Sequence, residues 1–328
     1  MFLHSSLAIV AFVLGSVAPV ISQMADHPSM FKSSYNDTRT VDLGSYESDK
    51  LGYPTLWHSQ TAYCLDYDDR DYDTNQYTEG FQFAYHIQDS SKSTEGYIGY
   101  QPDLNAIIIS FRGSEDINNW ISDLAVIRVD YPYCDGCSVH QGFLHAEQAV
   151  YQDILNVVKD LSNSHKSATI VLTGHSLGAA LALLTALDLA NDGFKPKVYN
   201  YGCPRIFNQA GADFASSSSA SGVTVAARRT HYKDMVVHTP MHSLGFVHTS
   251  GEVYETGPSS DEDWGQFPGA PLQACVGEED ASCSDQWSIT SASDHLLYSG
   301  LQMGVDGCGA LYGSKGRIVG TPPSSSTL

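Results

Sequence analysis

The chain has 328 residues, 42% of them hydrophobic and 16% charged, and a formal net charge of −20. It is long enough to bury a large core, and its negative charge argues against nucleic acid and strongly anionic membranes as partners. No internal repeat is visible along it.

Residues 1–22 carry no Lys, Arg, Asp or Glu and hold an apolar run at 7–20, followed by small residues near Ser22. The run is short for a membrane span of ~20 residues, so it reads as a secretory leader cleaved near Ser22–Gln23. Residues 23–55 read as a polar N-terminal arm, with the sequon Asn36-Asp37-Thr38 as a glycosylation candidate. The body is expected over 56–312 and a flexible tail over 313–328. The acidic stretch from Asp66 to Asn75 lacks the glycine and glutamate spacing of a calcium loop, and no metal is expected there.

FQFAYHI (81–87) and GYIGY (96–100) predict strands, and NAIIISFRG (105–113) predicts a strand buried on both faces. Next, Ile117, Trp120, Ile121 and Leu124 make one apolar stripe on a short helix, opposite Glu115, Asp116 and Asp123. LAVIRVDY (124–131) predicts a strand and 142–163 one helix. Strands are then expected over 167–175, 197–205, 223–231 and 245–255, and a helix over 177–189. Residues 257–294 are loop-rich, and a short helix is expected to open at His295. Strands alternating with helices imply βαβ units, hence an α/β fold with a mostly parallel central sheet flanked by helices.

Gly174-His175-Ser176-Leu177-Gly178 stands between a predicted strand and a predicted helix. That context distinguishes a nucleophile turn from a helix-capping serine, because the turn closes only if the residues two before and two after the serine are small. A serine needs a base, and the base needs an orienting acid, in the chain order Ser, acid, His. Asp234 follows a predicted strand at the carboxyl edge of the sheet, whereas Asp188, Asp192 and Asp213 fall in or near helices and Asp261, Glu262 and Asp263 in an acidic loop. Among the later histidines, His238 and His242 lie too near Asp234 in sequence, and His248 sits in a predicted strand. His295, after a long loop, remains as the base. The Leu177 amide and Ser114 are the candidate oxyanion donors, Ser114 serving equally well as an N-cap. The base must be neutral, so activity is expected to fall on acidification.

Seven cysteines (64, 134, 137, 203, 275, 283 and 308) suit an oxidising compartment and leave one thiol over. Cys134-x-x-Cys137 reads as a small local disulfide, since no second ligand pair for zinc is evident.

Phe111-Arg112-Gly113-Ser114, Asn119-Trp120, Asp123-Leu124, Cys134-x-x-Cys137, His140-x-Gly142-Phe143, the serine pentapeptide, Gly202-x-Pro204-Arg205, Asp234 and His295-Leu-Leu-Tyr298 occur in this order. From about Leu56 to Cys308 the chain resembles the filamentous-fungal and yeast triacylglycerol lipases (class 3 lipases). The resemblance implies an α/β-hydrolase fold with a short helical lid, here the helix bearing Ile117, Trp120, Ile121 and Leu124. It implies Ser176, Asp234 and His295 as a catalytic triad, with Ser114 and Leu177 as oxyanion donors. It also implies disulfides Cys64–Cys308, Cys134–Cys137 and Cys275–Cys283, with Cys203 left as a buried inert thiol. No cofactor is implied. The expected partner is a lipid or ester substrate at an interface, met by a secreted monomer whose only lipid contact is peripheral. A feruloyl esterase or phospholipase A1 on the same scaffold is the rival reading, and a catalytically dead binding protein a more distant one. The acidic lid bears on which lipid surface it prefers.

Overall fold

The computed structural model describes residues 40–64, 77–258 and 271–308. The expected leader, Asn36, the acidic stretch 66–75, Asp261, Glu262, Asp263 and the tail lie outside the described residues.

In chain order the elements begin with α1 (Leu43–Ser48) and α2 (Gly52–Thr61), then β1 (Gln82–Asp89), β2 (Thr94–Gln101) and β3 (Ala106–Phe111). After α3 (Ile117–Asp123) come the short strands β4 (Arg128–Asp130) and β5 (Ser138–His140). Helices α4 (Gln141–Gln148) and α5 (Tyr151–Ser164) lead to β6 (Thr169–His175), α6 (Leu177–Asn191) and β7 (Lys197–Tyr201). Then follow α7 (Gln209–Ser216), α8 (Ser218–Ser221), β8 (Thr224–His231), β9 (Glu252–Glu255) and β10 (Leu272–Ala274). The described chain closes with α9 (Ala292–His295) and the hairpin β11 (Leu297–Tyr298) and β12 (Leu301–Gln302).

Eight strands form one sheet in the order β1-β2-β3-β6-β7-β8-β9-β10. The run from β3 to β9 is parallel, and antiparallel pairs flank it. All six residues of β3 are buried because alternate side chains serve two cores. Ile107, Ile109 and Phe111 join Leu172, Val198 and α6 on one face. Ala106 and Ile108 join Val171, Tyr199, Leu56 and Trp57 on the other. Helix α6 is buried on every side from Gly178 to Leu189, which explains its nearly unbroken apolar run.

Four sequence expectations are corrected. Residues 43–55 are not arm: α1 and the start of α2 lie there, and Tyr46 and Leu51 enter the second core. Helix α2 was hard to see because its buried face is polar, with Thr55, His58, Ser59, Gln60 and Thr61 all inaccessible. Several of these side chains bond to distant strands, as in Ser59 Oγ to Thr173 Oγ1 at 2.7 Å and His58 Nδ1 to the Tyr97 hydroxyl at 2.7 Å. The helix expected over 142–163 is two, α4 and α5, broken at Ala149–Val150. Of 124–131 only Arg128–Asp130 is strand, pairing with β5 in a ribbon apart from the main sheet, and Val126 and Ile127 are exposed. Of 245–255 only Glu252–Glu255 is strand. The preceding residues bond to loops instead, as in the His248 N–H to Glu279 bond at 2.9 Å.

One buried polar cluster lies away from the sheet edge. Glu147 of α4 is wholly inaccessible and both its carboxyl oxygens lack a donor, while Asp188 of α6 is buried beside it. Burial, and then the Asp188 charge, push the Glu147 carboxyl well above its ordinary range. Burial likewise raises Asp188. Both carboxyls are thus biased towards the neutral form. A raised carboxyl confers stability that is complete below its unfolded value and fades as pH rises towards its folded value. Glu147→Gln keeps the neutral form at all pH. It is expected to raise Tm at pH 8 by about 2–4 °C, roughly 1 kcal/mol for a domain of this size, with little gain at pH 4. Scanning calorimetry at the two pH values checks this, and a lower Tm at pH 8 would refute the raised Glu147 carboxyl.

Candidate active site

Strand β6 runs straight into α6, and Ser176 is the single residue between them. Its backbone is at φ 60° and ψ −130°, a region a side chain enters only under strain. The flanking glycines make this possible. A Cβ on Gly174 would lie 2.4 Å from the Gly178 carbonyl, and one on Gly178 would lie 2.3 Å from the Phe111 carbonyl oxygen. The Ser176 N–H is held by the Tyr201 carbonyl at 3.0 Å. Its Oγ is buried and has no hydrogen-bond partner.

Strand β8 delivers Asp234. The strand carries two buried arginines into the sheet, paired with carboxylates of β9: Arg228 with Glu252 at 3.0 Å, and Arg229 with Glu255. Three residues past its end, Asp234 accepts from His295 Nδ1 at 2.8 Å, from the Val236 N–H at 2.7 Å and from the Tyr298 hydroxyl. Burial alone would raise this carboxyl. The His295 charge and the hydrogen bonds from His295 and Tyr298 outweigh it and hold the pKa at about 2. The segment bearing His295 is laced to the same loop, with the Ser291 N–H on the Lys233 carbonyl at 2.7 Å. His295 closes α9 rather than opening a helix, and the chain continues directly into β11. Its Nε2 is buried and unpartnered. Gly202, at φ +58°, leaves space here: a Cβ on it would lie 2.8 Å from His295 Cε1 and 3.0 Å from Asp234 Oδ2.

The two halves meet through His175, whose ring stacks on that of His295 with centroids 4.2 Å apart. The structure thus brings Ser176, His295 and Asp234 to the carboxyl edge of the parallel strands. Two of the other downstream histidines are occupied elsewhere: His238 bonds the Asp234 carbonyl at 2.7 Å, and His248 the Val237 carbonyl at 2.7 Å.

Strand β3 ends against the serine turn, since a Cβ on Gly113 would lie 3.0 Å from Ser176 Cβ. Ser114 follows and is half-buried. It is not the N-cap of α3; Asp116 is, accepting from the Asn119 N–H at 3.0 Å. Leu177 is the first residue of α6, where an amide has no acceptor within its own helix. In α3, Ile117 is buried, Trp120 stacks on Phe143 at 6.1 Å, and Ile121 and Leu124 are half-buried. Arg112 ties the entry to α3 by pairing with Glu95 at 2.9 Å and Glu115 at 2.8 Å.

Disulfides join Cys64 to Cys308, Cys134 to Cys137 and Cys275 to Cys283. Cys203 is a buried free thiol, pushed up to about 12 by burial. Among the described residues, the one trio with metal-ligand spacing is Cys275, Asp280 and Cys283, and its two cysteines are bonded to each other. No described helix is long and apolar enough to cross a membrane. Sequence reasoning passed over Tyr63, His175 and Tyr298 as members of this site. For two of them the signal was adjacency: His175 immediately precedes the serine, and Tyr298 closely follows His295.

The pattern of the class 3 lipases matches residues 108–244. The secreted mono- and diacylglycerol lipase A of Penicillium cyclopium is 34% identical over 183 residues, 55% of this chain and 58% of that protein. A lipase of Rhizomucor miehei is 36% identical over 207 residues, 61% of this chain and 53% of that protein. The match therefore spans a little over half the length of these curated relatives. The solved structure of the Rhizomucor miehei triacylglyceride lipase aligns with a TM-score of 0.70 at 28% identity, covering 81% of this chain and 98% of that one. With the sheet order and the serine turn described above, these likenesses give the chain an α/β-hydrolase fold whose central segment, residues 108–244, matches the class 3 lipases.

Proposed function

We propose that the protein is a secreted lipase that hydrolyses carboxylic esters of acylglycerols through an acyl-enzyme. One observation carries this reading. A buried, unpartnered hydroxyl on a strained turn directly follows His175, whose ring stacks at 4.2 Å on a buried imidazole with one free nitrogen, the other nitrogen being held by a carboxylate. His295 takes the Ser176 proton as Oγ attacks the ester carbonyl carbon. The Ser114 and Leu177 donors receive the oxyanion, and His295 returns the proton to the departing alcohol. Water, deprotonated by His295 in turn, then releases the acid and regenerates Ser176. Asp234 orients His295 and stays ionised throughout.

Ser176 and His295 are both 0% exposed, so no ester reaches them until something moves. Helix α3 is the candidate. It starts three residues after Ser114, packs through Trp120 onto Phe143, and is tethered at its entry by Arg112. Opening would present Ile117, Trp120, Ile121 and Leu124 to lipid. The relatives' names divide between mono- and diacylglycerols and triacylglycerols, so all three belong in a substrate panel, with a phospholipid and a feruloyl ester.

Acylglycerols are expected to be the best substrates, with a rate gain once they form an emulsion. Turnover of feruloyl esters alone would overturn the reading. Trp120→Ala is expected to lower the emulsion rate about 5–10-fold while leaving hydrolysis of a soluble short-chain ester nearly unchanged. The three disulfides and the apolar run at 7–20 support secretion. N-terminal sequencing of the exported protein, expected to begin near Gln23, checks it.

A further inference from the structure

His175 fills the variable position before the nucleophile, yet it is fully buried and both its ring nitrogens are engaged. Nε2 lies 2.9 Å from the main-chain carbonyl of His295, and Nδ1 lies 2.8 Å from the Tyr63 hydroxyl. A carbonyl only accepts, so Nε2 carries the hydrogen. Burial, and then the neighbouring His295 charge, hold His175 well below its ordinary pKa, so the ring is neutral and has one hydrogen to give. Nδ1 therefore accepts from Tyr63, whose hydroxyl is kept protonated by burial. Without the Tyr63 donor the ring is free to take the other tautomer, which would set a lone pair against the His295 carbonyl.

Tyr63 is itself fastened to the His295 segment. Its neighbour Cys64 is bonded to Cys308, and Gln60 Nε2 donates to the Gly304 carbonyl at 2.9 Å. The Met303 N–H in turn bonds the Leu296 carbonyl at 2.8 Å.

We propose that Tyr63 and His175 form a second hydrogen-bonded chain, separate from Asp234, that positions His295 through its main-chain carbonyl. The inference rests on reading His295 as the general base. Asp234 sets the rotation and tautomer of the imidazole. The Tyr63–His175 chain sets where the Cα of His295 stands relative to Ser176. A base displaced by a fraction of an ångström costs rate without changing ester binding.

The test is a double-mutant cycle with Tyr63→Phe, His175→Phe and both together, reading kcat and KM on p-nitrophenyl butyrate alongside Tm. His175→Phe is expected to lower kcat about 30-fold, and Tyr63→Phe about 10-fold, each with KM within about twofold. The double variant is expected to be no slower than His175→Phe, because Tyr63 acts only through the ring that change removes. His175→Gln, whose amide can still donate to the His295 carbonyl, is expected to recover part of the loss. Independent, multiplying effects, or a loss confined to KM, would overturn the inference. If His175→Phe does not fold, Tyr63→Phe alone decides: a kcat loss at constant KM supports the chain, and an unchanged kcat overturns it. Labelling of the unmodified protein by an organophosphonate separates the two readings. Phosphonylated Ser176 with an additive cycle refutes only the positioning chain. Absence of both label and turnover refutes the triad reading and this inference with it.

Discussion

Ser176→Ala is expected to lower kcat for ester hydrolysis by about 10⁵–10⁶-fold, because the acyl-enzyme cannot form and the remaining groups act only as bystanders. Stability is not expected to suffer. The lost Oγ makes no hydrogen bond, and alanine keeps a Cβ in the same strained backbone. A rate assay with thermal melts of both proteins checks the two halves together. Retained turnover would refute the assignment of Ser176, whatever the fate of the rest of the site.

Asp234→Asn is the second large effect, expected at about 10⁴-fold in kcat, since the amide no longer selects the His295 tautomer that frees Nε2 to act as base. Here stability falls too. The carboxylate accepts from the Val236 N–H, the Tyr298 hydroxyl and His295. Asparagine has one acceptor oxygen for donors that approach both carboxylate oxygens, so a cost of about 1–3 kcal/mol in urea unfolding is expected.

The pH dependence separates this structural role from the catalytic one. Asp234 is held at about 2, below its unfolded value. Its contribution to stability is therefore complete above the ordinary aspartate range near ~3.9 and disappears as pH falls towards about 2. Asp234→Asn is expected to flatten acid unfolding in that window. Loss of activity at milder acidity does not come from Asp234, which remains ionised there. An acid-unfolding curve unchanged by the substitution would contradict the depressed carboxyl.

The sheet was legible because its parallel strands are buried on both faces. Ile107, Ile108 and Ile109 divide between two cores, so a run of apolar residues marks the strand. The same rule concealed α2. Its buried face is polar, and the side chains of Ser59 and His58 bond to Thr173 and Tyr97, residues distant in sequence. No periodicity can report a partner that only folding brings near. Likewise 245–255 resembles one strand, but the His248 N–H goes to Glu279 instead of a ladder.

The residues flanking Ser176 show the same division. The need for small neighbours at 174 and 178 follows from backbone sterics within five residues, and the pentapeptide states it outright. Gly113 and Gly202 carry an equal steric demand, but what they make room for, Tyr63 and Ser176 or His295 and Asp234, arrives from other strands.

From its order of residues alone, this protein is a negatively charged chain of alternating strands and helices with a serine on a tight strand-to-helix turn and an acid and a histidine downstream. Each of those rests on local sterics or short-range periodicity. The tertiary structure alone decided that Tyr298 braces Asp234, that Asp116 rather than Ser114 caps α3, and that Tyr63 and His175 reach the carbonyl of His295. Those are hydrogen bonds between segments distant in sequence, and their donors and acceptors have no pattern until the sheet sets them side by side.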